Sequence, residues 1–219
     1  MFFCVCTTHS KKQQEIERED SPLTKPHFTE PFDLQVRKYE DPKRQTWQDP
    51  KFVIEALGDL KGLTIADIGA GTGYFTFQMA VPAKKVIAID IEQRFLNYIE
   101  DRKSEMYDRS LAKKIETRLT TPDKPSLMVQ EVDVVLMVNT IGFINNRLEY
   151  LKILKKGMGS AGRLVVVDYK LGEMPVGSAE NDKVSSKELV NELKEAGFIV
   201  DNIDNISLEY QYLIKAHKE

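Results

Sequence analysis

Residues 64–80 read TIADIGAGTGYFTFQMA, and this stretch decides the fold. An apolar run that carries Asp67 is followed by glycines at alternate positions, Gly69, Gly71 and Gly73, and then by an apolar pattern of helical spacing. Glycine permits a tight turn and lets a ligand approach bare backbone. The start of the following helix offers unpaired N–H groups that favour an anion. The stretch therefore predicts a strand, a ligand-binding loop and a helix.

The chain from residue 63 onward alternates between strand-like and helical patterns. Near-continuous Val, Ile and Leu runs are typical of strands whose two faces are covered, and their alternation with helices indicates right-handed crossovers in a parallel sheet. The predicted strands are 63–68, 86–90, 115–119, 132–139 and 163–169, and the predicted helices are 73–81, 92–107, 145–156 and 186–196.

Two further β-rich segments, 198–207 and 209–216, leave no room for a helix between them. Adjacent strands with a short connection must be antiparallel. The predicted fold class is therefore α/β: a Rossmann-like, doubly wound, seven-stranded sheet that is mostly parallel and ends in an antiparallel β-hairpin.

The residues before the sheet divide into two segments. Residues 1–30 are polar and contain prolines, which predicts a tether that does not need to fold. Residues 31–62 predict a helical lid with one helix over 33–41 and another from about Asp49, with a proline in its first turn. Residues 63–219 are predicted to form the ligand-binding domain.

The composition is that of an ordinary globular protein. The chain has 219 residues, is 42% hydrophobic and 30% charged, and carries a formal net charge of −3. Nucleic-acid binding usually shows as a basic excess, so no nucleic-acid partner is predicted. No apolar run approaches the roughly 18 residues that a transmembrane helix needs. The oligomeric state is left open.

The two cysteines, Cys4 and Cys6, stand one residue apart near the N-terminus. A disulfide at this spacing would be strained, and two thiols without a nearby histidine make a poor zinc site, so no metal is predicted. The rest of the chain contains no cysteine, which fits a reducing compartment and predicts a cytoplasmic protein. The alternative is that MFFCVC is the tail of a longer lipoprotein signal, with a lipid anchor on Cys6.

An acid about 20 residues past the glycines, Asp90, ends the second strand and is placed to bind ribose hydroxyls. A dinucleotide fingerprint would put its third glycine at residue 74 or 76, which are Tyr74 and Thr76. The pattern is instead D-x-G-x-G-x-G. The Asp67 carboxylate would repel a pyrophosphate but attract an ammonium group, so the predicted cofactor is S-adenosylmethionine.

At these residues the sequence resembles the class I S-adenosylmethionine-dependent methyltransferases, over about residues 31–218. IADIGAGTGYFT resembles the first motif of that family, VIAIDI the second, VDVVLMVNTIGFI the fourth-strand motif, GRLVVVDYK the fifth strand, and ELKEAGF the last helix before the hairpin. WQDPKFVIEALG and MPVG look like a small bacterial branch of small-molecule type. The resemblance implies methyl transfer to a small-molecule acceptor.

The resemblance also implies which residues bind the cofactor. Asp67 and the glycine backbones hold the methionine part, Asp90 the ribose, and Ile91 one face of the adenine. Thr121 stands where many relatives carry an acid beside the adenine. The full implied set is Asp67, Gly69, Ala70, Gly71, Gly73, Tyr74, Asp90, Ile91, Thr121, Pro122, Asn139 and Thr140.

Five aromatic residues are candidates for contact with the sulfonium or with the acceptor. Aromatic faces favour a sulfonium cation, which points to Tyr39 and Trp47 from the lid, together with Tyr74. Tyr212, on the last strand, is predicted to reach the acceptor pocket. Phe143, just after the fourth strand, completes the set.

One departure from the family concerns a histidine pair that relatives often carry after the fourth strand. Here those positions are Gly142 and Phe143, and the only histidines, His9, His27 and His217, lie near the two ends of the chain. No catalytic residue is therefore assigned. Two alternatives stay open: a protein that binds the methyl donor without catalysis, and a nicotinamide-dependent oxidoreductase, against which Asp67 argues.

Overall fold

The structure is a computed structural model that describes Met1 and residues 30–219. Nearly all of the predicted tether lies outside the described residues. So do Cys4 and Cys6, and with them the predicted lipid anchor.

A seven-stranded sheet forms the centre of the molecule, with the strands in the order β3-β2-β1-β4-β5-β7-β6. The strands are β1 (Thr64–Ile68), β2 (Lys85–Asp90), β3 (Ile115–Leu119), β4 (Val132–Val138), β5 (Met158–Tyr169), β6 (Phe198–Asp204) and β7 (Gln211–Lys218). Strands β1 to β5 are parallel, and β7 lies antiparallel between β5 and β6. The predicted fold class is confirmed.

Helices cover both faces of this sheet. They are α1 (Phe32–Tyr39), α2 (Arg44–Trp47), α3 (Pro50–Ala56), α4 (Tyr74–Ala80), α5 (Gln93–Glu105), α6 (Arg109–Ala112), α7 (Arg147–Gly157) and α8 (Ser186–Glu195). Single 3-10 turns occur at Ile141–Phe143 and Glu180–Asp182. One buried cluster packs α7 and α8 on the sheet, and a second packs α3 and α4 on the opposite face.

The strand order reverses between β1 and β4, which are neighbours in the sheet although far apart in sequence. At such a point the loops leaving the two strands run to opposite faces and open a crevice at the carboxyl ends of the strands. The glycine loop follows β1 and residues 139–143 follow β4, so both border this crevice.

Several strand boundaries differ from the prediction, and two of these differences have a clear structural reason. β5 begins at Met158 rather than at residue 163, because Met158 pairs with Val132 ahead of an irregularity in the β4 register. β4 ends at Val138, since Asn139 adopts a left-handed conformation with φ 54°. Asparagine tolerates this conformation better than most residues.

The lid segment contains three short helices, of which α2 was not predicted. Asp49 begins α3 by accepting a hydrogen bond from the backbone N–H of Phe52 at 3.1 Å, and Pro50 occupies the first turn as predicted. Within the described residues, no helix has the length and apolar character needed to cross a membrane.

Candidate active site

The glycine loop is a tight turn that side chains would obstruct. Gly69, Gly71 and Gly73 all have positive φ, at 75°, 52° and 79°. A Cβ atom at Gly69 would lie 2.1 Å from Thr140 Oγ1, and one at Gly71 would lie 3.1 Å from the ring of Tyr39. The loop therefore needs glycine both for its backbone conformation and for the groups that approach it.

Asp90 joins the end of β2 to this loop. Its Oδ2 accepts the N–H of Gly71 at 2.8 Å, and its Oδ1 accepts the N–H of Glu92 at 2.9 Å. Burial raises the pKa of Asp90, and these two N–H groups oppose the shift. A carboxylate has about four lone-pair sites, so both oxygens can accept further hydrogen bonds. Ile91 beside it is 44% exposed, an apolar surface open to a ligand.

Asp67 is a buried carboxylate under the loop. It is only 3% exposed, and its Oδ2 accepts the hydroxyl of Thr76 at 2.6 Å. Burial raises the pKa of Asp67 to about 6, against the opposing effect of the Thr76 hydrogen bond. A carboxyl group in this environment gains most from a nearby cation. Sequence reasoning did not identify Thr76 as the partner.

The loop after β3 lies beside the end of β2, because the N–H of Thr120 donates to the carbonyl of Asp90 at 3.0 Å. Thr121 and Pro122 are exposed. The Thr121 hydroxyl donates to Asp123 at 2.6 Å, so a carboxylate lies next to Thr121 in this loop.

Across the crevice, three polar side chains form a network. Asn139 Nδ2 donates to the hydroxyl oxygen of Tyr169 at 3.2 Å, and Gln211 Nε2 donates to Asn139 Oδ1 at 2.5 Å. Tyr169 and Gln211 face each other across the β5–β7 pairing. Sequence reasoning singled out Asn139 but missed its two partners, which lie 30 and 72 positions away.

The lid covers both sides of the crevice. Tyr39 stacks on Phe95 with ring centroids 5.2 Å apart and lies over Gly71. Trp47 lies 6.0 Å from the ring of Tyr169. The structure thus brings the two predicted lid aromatics to opposite sides of one site, Tyr39 to the glycine loop and Trp47 to the polar network.

Residues 59–215 match the protein family described as "Methyltransferase domain". The chain belongs to this family. Its fold is that of the class I S-adenosylmethionine-dependent methyltransferases, which confirms the predicted family and supports S-adenosylmethionine as the cofactor. The nicotinamide-dependent oxidoreductase left open by the sequence is ruled out by this match. The small bacterial branch stays a prediction.

Similar proteins are distant in sequence. Ribosomal RNA small subunit methyltransferase A of Staphylococcus carnosus is 23% identical over 121 residues, which cover 55% of this chain and 41% of that relative. The match therefore spans less than half of that relative's length. A SAM dependent methyltransferase structure from Aquifex aeolicus has a TM-score of 0.76 at 24% identity, covering 85% of this chain and 98% of the other.

A further similar structure is a chain from the complex between the Haloferax volcanii Trm112 methyltransferase activator and a methyltransferase. It has a TM-score of 0.69 at 13% identity and covers 85% of this chain and 95% of the other. At these identities the likeness is one of fold.

The turn after β4 in this methyltransferase is shaped by Gly142. A Cβ atom there would lie 1.9 Å from the backbone oxygen of Asp182, so the segment after β5 is packed directly on the turn. Asp168 Oδ1 accepts the N–H of Tyr169 at 2.7 Å, while its Oδ2 is buried without a hydrogen-bond partner among the described residues. Burial raises the pKa of Asp168 to about 6, and the nearby backbone N–H groups, including that of Gly142, oppose the shift. Phe143 is half-buried in the turn. Where many relatives carry a histidine, this chain thus has a glycine whose backbone packs against the backbone of Asp182.

Tyr212 of the methyltransferase is placed differently from Tyr39 and Trp47. It is 1% exposed and belongs to the core cluster under α7 and α8. Its hydroxyl is buried without a hydrogen-bond partner among the described residues, and burial raises its pKa. The structure does not bring this side chain to the lid.

Proposed function

We propose that this methyltransferase transfers a methyl group from S-adenosylmethionine to a small-molecule acceptor enclosed between the lid helices and the carboxyl edge of the sheet. The observation that carries the proposal is the lid itself. Tyr39 covers the glycine loop and Trp47 covers Tyr169, so side chains of the lid cover both halves of the crevice. Such a site favours an acceptor small enough to be enclosed.

The residues on the donor side fit the cofactor. Asp67 would hold the ammonium group, since its buried carboxylate gains from a cation. Asp90 would accept the two ribose hydroxyls with its remaining lone pairs. The backbones of Gly69, Ala70, Gly71 and Gly73 would line the methionine part, and Ile91, Thr121 and Pro122 the adenine. Thr140, which packs on Gly69, would separate the donor from the acceptor side.

S-adenosylmethionine supplies a methyl group already activated on a positively charged sulfur. The protein then has to exclude water and align the acceptor, and positioning of this kind is worth roughly 7–11 kcal/mol at best. The lid aromatics exclude water. The Asn139–Tyr169–Gln211 network offers fixed polar groups to orient the acceptor.

The acceptor we favour needs no side chain to remove its proton. Burial raises the pKa of Tyr169 to about 12, so its phenol stays protonated near neutral pH and acts as a hydrogen-bond donor. Asp168 is 2% exposed, so its carboxylate is shielded from the crevice, and its Oδ1 accepts the N–H of Tyr169 at 2.7 Å. In the described residues the single histidine is His217, which contacts Asp201. It stands opposite Arg163 in the β5–β7 register, six positions along β5 from Tyr169. An amine, thiolate or carboxylate fits these conditions.

An RNA acceptor is the competing function, because one distant relative is named a ribosomal RNA methyltransferase. The formal net charge of −3 disfavours it, since RNA binding needs cationic side chains to neutralise phosphates. A donor-binding protein without turnover is the other alternative, motivated by the glycine at position 142.

The test is transfer of a radiolabelled methyl group into fractionated bacterial extract, with D90A as the control for donor binding. We expect label in the low-molecular-mass fraction with the wild-type protein and much less with D90A at a donor concentration near the wild-type Kd. Label confined to RNA would refute the small-molecule acceptor. Tight donor binding without label in any fraction would favour the protein that has lost catalysis.

A further inference from the structure

Arg44, at the start of α2, carries a guanidinium group in an unusual position beside the glycine loop. Its Cζ lies 4.4 Å from the ring centroid of Tyr74, the residue that follows the last glycine. Burial lowers the pKa of Arg44, so the cation is removed from water. Yet among residues 30–219 no carboxylate forms an ion pair with it.

The hydrogen bonds of Arg44 go to neutral oxygens. Nε and Nη2 donate to Gln48 Oε1 at 2.9 and 2.6 Å, and Nη1 donates to the carbonyl of Tyr39. Three of its five N–H groups are thus used and two remain. A desolvated cation is costly unless an anion accompanies it. Against the effect of burial, Glu40 raises the pKa of Arg44, but it forms its ion pair with Arg102, so within the described part of the chain Arg44 lacks an anion bound to it directly.

Gln48 provides a second, independent sign of a missing anion. Its side chain is 0% exposed, and its Nε2 is buried without a hydrogen-bond partner among the described residues. Buried donors are nearly always satisfied, and an exception asks for an explanation. Because Arg44 binds the oxygen of this carboxamide, the unused N–H groups of Arg44 and Gln48 lie on neighbouring groups.

The other arginine at the loop is already neutralised. Arg102 Nη1 contacts Glu40 at 3.1 Å and the carbonyl of Thr72 at 3.2 Å, and its Cζ lies 4.3 Å from the ring centroid of Phe77. Arg44 is therefore the better candidate for a ligand anion. It lies close enough to Asp67 for its charge to lower the pKa of that carboxyl.

We propose that Arg44 and Gln48 bind the carboxylate of the methionine part of S-adenosylmethionine, an inference that rests on the proposed function. The ammonium and carboxylate of that part share one carbon atom. If Asp67 holds the ammonium, the carboxylate must lie within a few bond lengths of it, on the side where Arg44 stands. The bound cofactor would then link α2 to the glycine loop, since Arg44 belongs to the lid.

The test uses decarboxylated S-adenosylmethionine, which keeps the sulfonium, the adenosine and an amino group and lacks only the carboxylate. Isothermal titration compares both ligands with the wild-type protein, R44Q and R102Q. We expect R44Q to lose about 10- to 100-fold in affinity for S-adenosylmethionine, the range for a charged hydrogen-bonded pair, and to bind the decarboxylated ligand as the wild type does. R102Q should keep the wild-type preference, and R44K part of it, because ammonium cannot span two carboxylate oxygens.

Two results would overturn the inference alone: an R44Q protein that keeps the full preference for the carboxylate, or one that loses both ligands equally, as expected of a merely structural arginine. A wild-type protein that binds neither ligand would overturn the proposed function as well. The preference is the ratio of the affinities for S-adenosylmethionine and its decarboxylated form, measured on the same variant. Partial unfolding of R44Q lowers both affinities equally and does not change this ratio.

Discussion

Replacing Asp67 by Asn should stabilise the free protein near neutral pH while weakening donor binding. Burial raises the pKa of Asp67 from its usual 3.8 to about 6. A shift of about 2 units corresponds to about 3 kcal/mol, by which the ionised, buried carboxylate destabilises the folded state above pH 6. Asparagine removes the charge and keeps an oxygen to accept the Thr76 hydroxyl.

The sign of the pH dependence follows from the direction of the shift. Between pH 3.8 and about 6 the folded state of the wild type binds more protons than the unfolded state, so its stability increases as pH falls through that window. The advantage of D67N should therefore be largest at pH 7 or above and fall to about half at pH 5. The amide that replaces the carboxylate in D67N is also buried and loses its hydration. We therefore expect the free energy of unfolding to rise by about 1–3 kcal/mol rather than by the full penalty of the carboxylate.

The assay is the melting temperature of both proteins at pH 5 and pH 7.5, where each kcal/mol shifts Tm by about 2–4 °C in a chain of this size. D101N, which changes an exposed acid on α5, is the matched control and should show no pH-dependent difference from the wild type. If D67N melts at or below the wild-type temperature at pH 7.5, the carboxylate is not penalised by burial. Titration with S-adenosylmethionine should show weaker binding by D67N.

Three other substitutions test separate parts of the site. D90A should weaken donor binding by about 1.5–3 kcal/mol in titration calorimetry, because charge-assisted hydrogen bonds to ribose are lost. G142A should lower the free energy of unfolding by about 1–3 kcal/mol in a denaturant titration, because its Cβ would lie 1.9 Å from the backbone oxygen of Asp182. Y169F should lower the rate of methyl transfer and leave donor binding unchanged, because the hydroxyl bonded to Asn139 is removed.

Each of these three predictions has a result that would contradict it. Wild-type donor affinity in D90A would refute the ribose assignment. An unchanged unfolding transition in G142A would mean that the segment after β5 accommodates the added methyl group without cost. G159A is the matched control, because a Cβ atom at Gly159 would meet its neighbours only at ordinary contact distances of 3.7 Å and 3.8 Å. Equal loss of donor binding and rate in Y169F would show that Tyr169 supports the donor rather than the acceptor.

The positions that we propose for the donor side could be selected from the sequence because they follow the chain locally. Asp67, the glycines and Asp90 stand at fixed spacings at the ends of neighbouring strands, and the structure joins them through the hydrogen bond from Gly71 to Asp90. Strand alternation likewise predicted the sheet, because covered strands are apolar throughout.

The acceptor side could not be predicted in the same way. Asn139 and Gln211 are 72 positions apart, and only the register of β5 and β7 brings Gln211 beside Tyr169. The sequence predicted that β5 begins at residue 163, whereas the pairing of Met158 with Val132 extends the strand back to Met158. Tertiary pairing overrides local propensity here. The role proposed for Arg44 could not be predicted from the sequence either, because it depends on the residues that α2 contacts.

The position of β7 between β5 and β6 has a consequence for synthesis on the ribosome. β7 is the last strand of the sheet along the chain, yet it occupies an interior place. Until residues 211–218 have left the exit tunnel, β5 presents an unpaired edge that includes Val165, Val166 and Val167. Such an edge pairs readily with other chains. The nascent protein therefore depends on its final segment both to complete the fold and to escape aggregation.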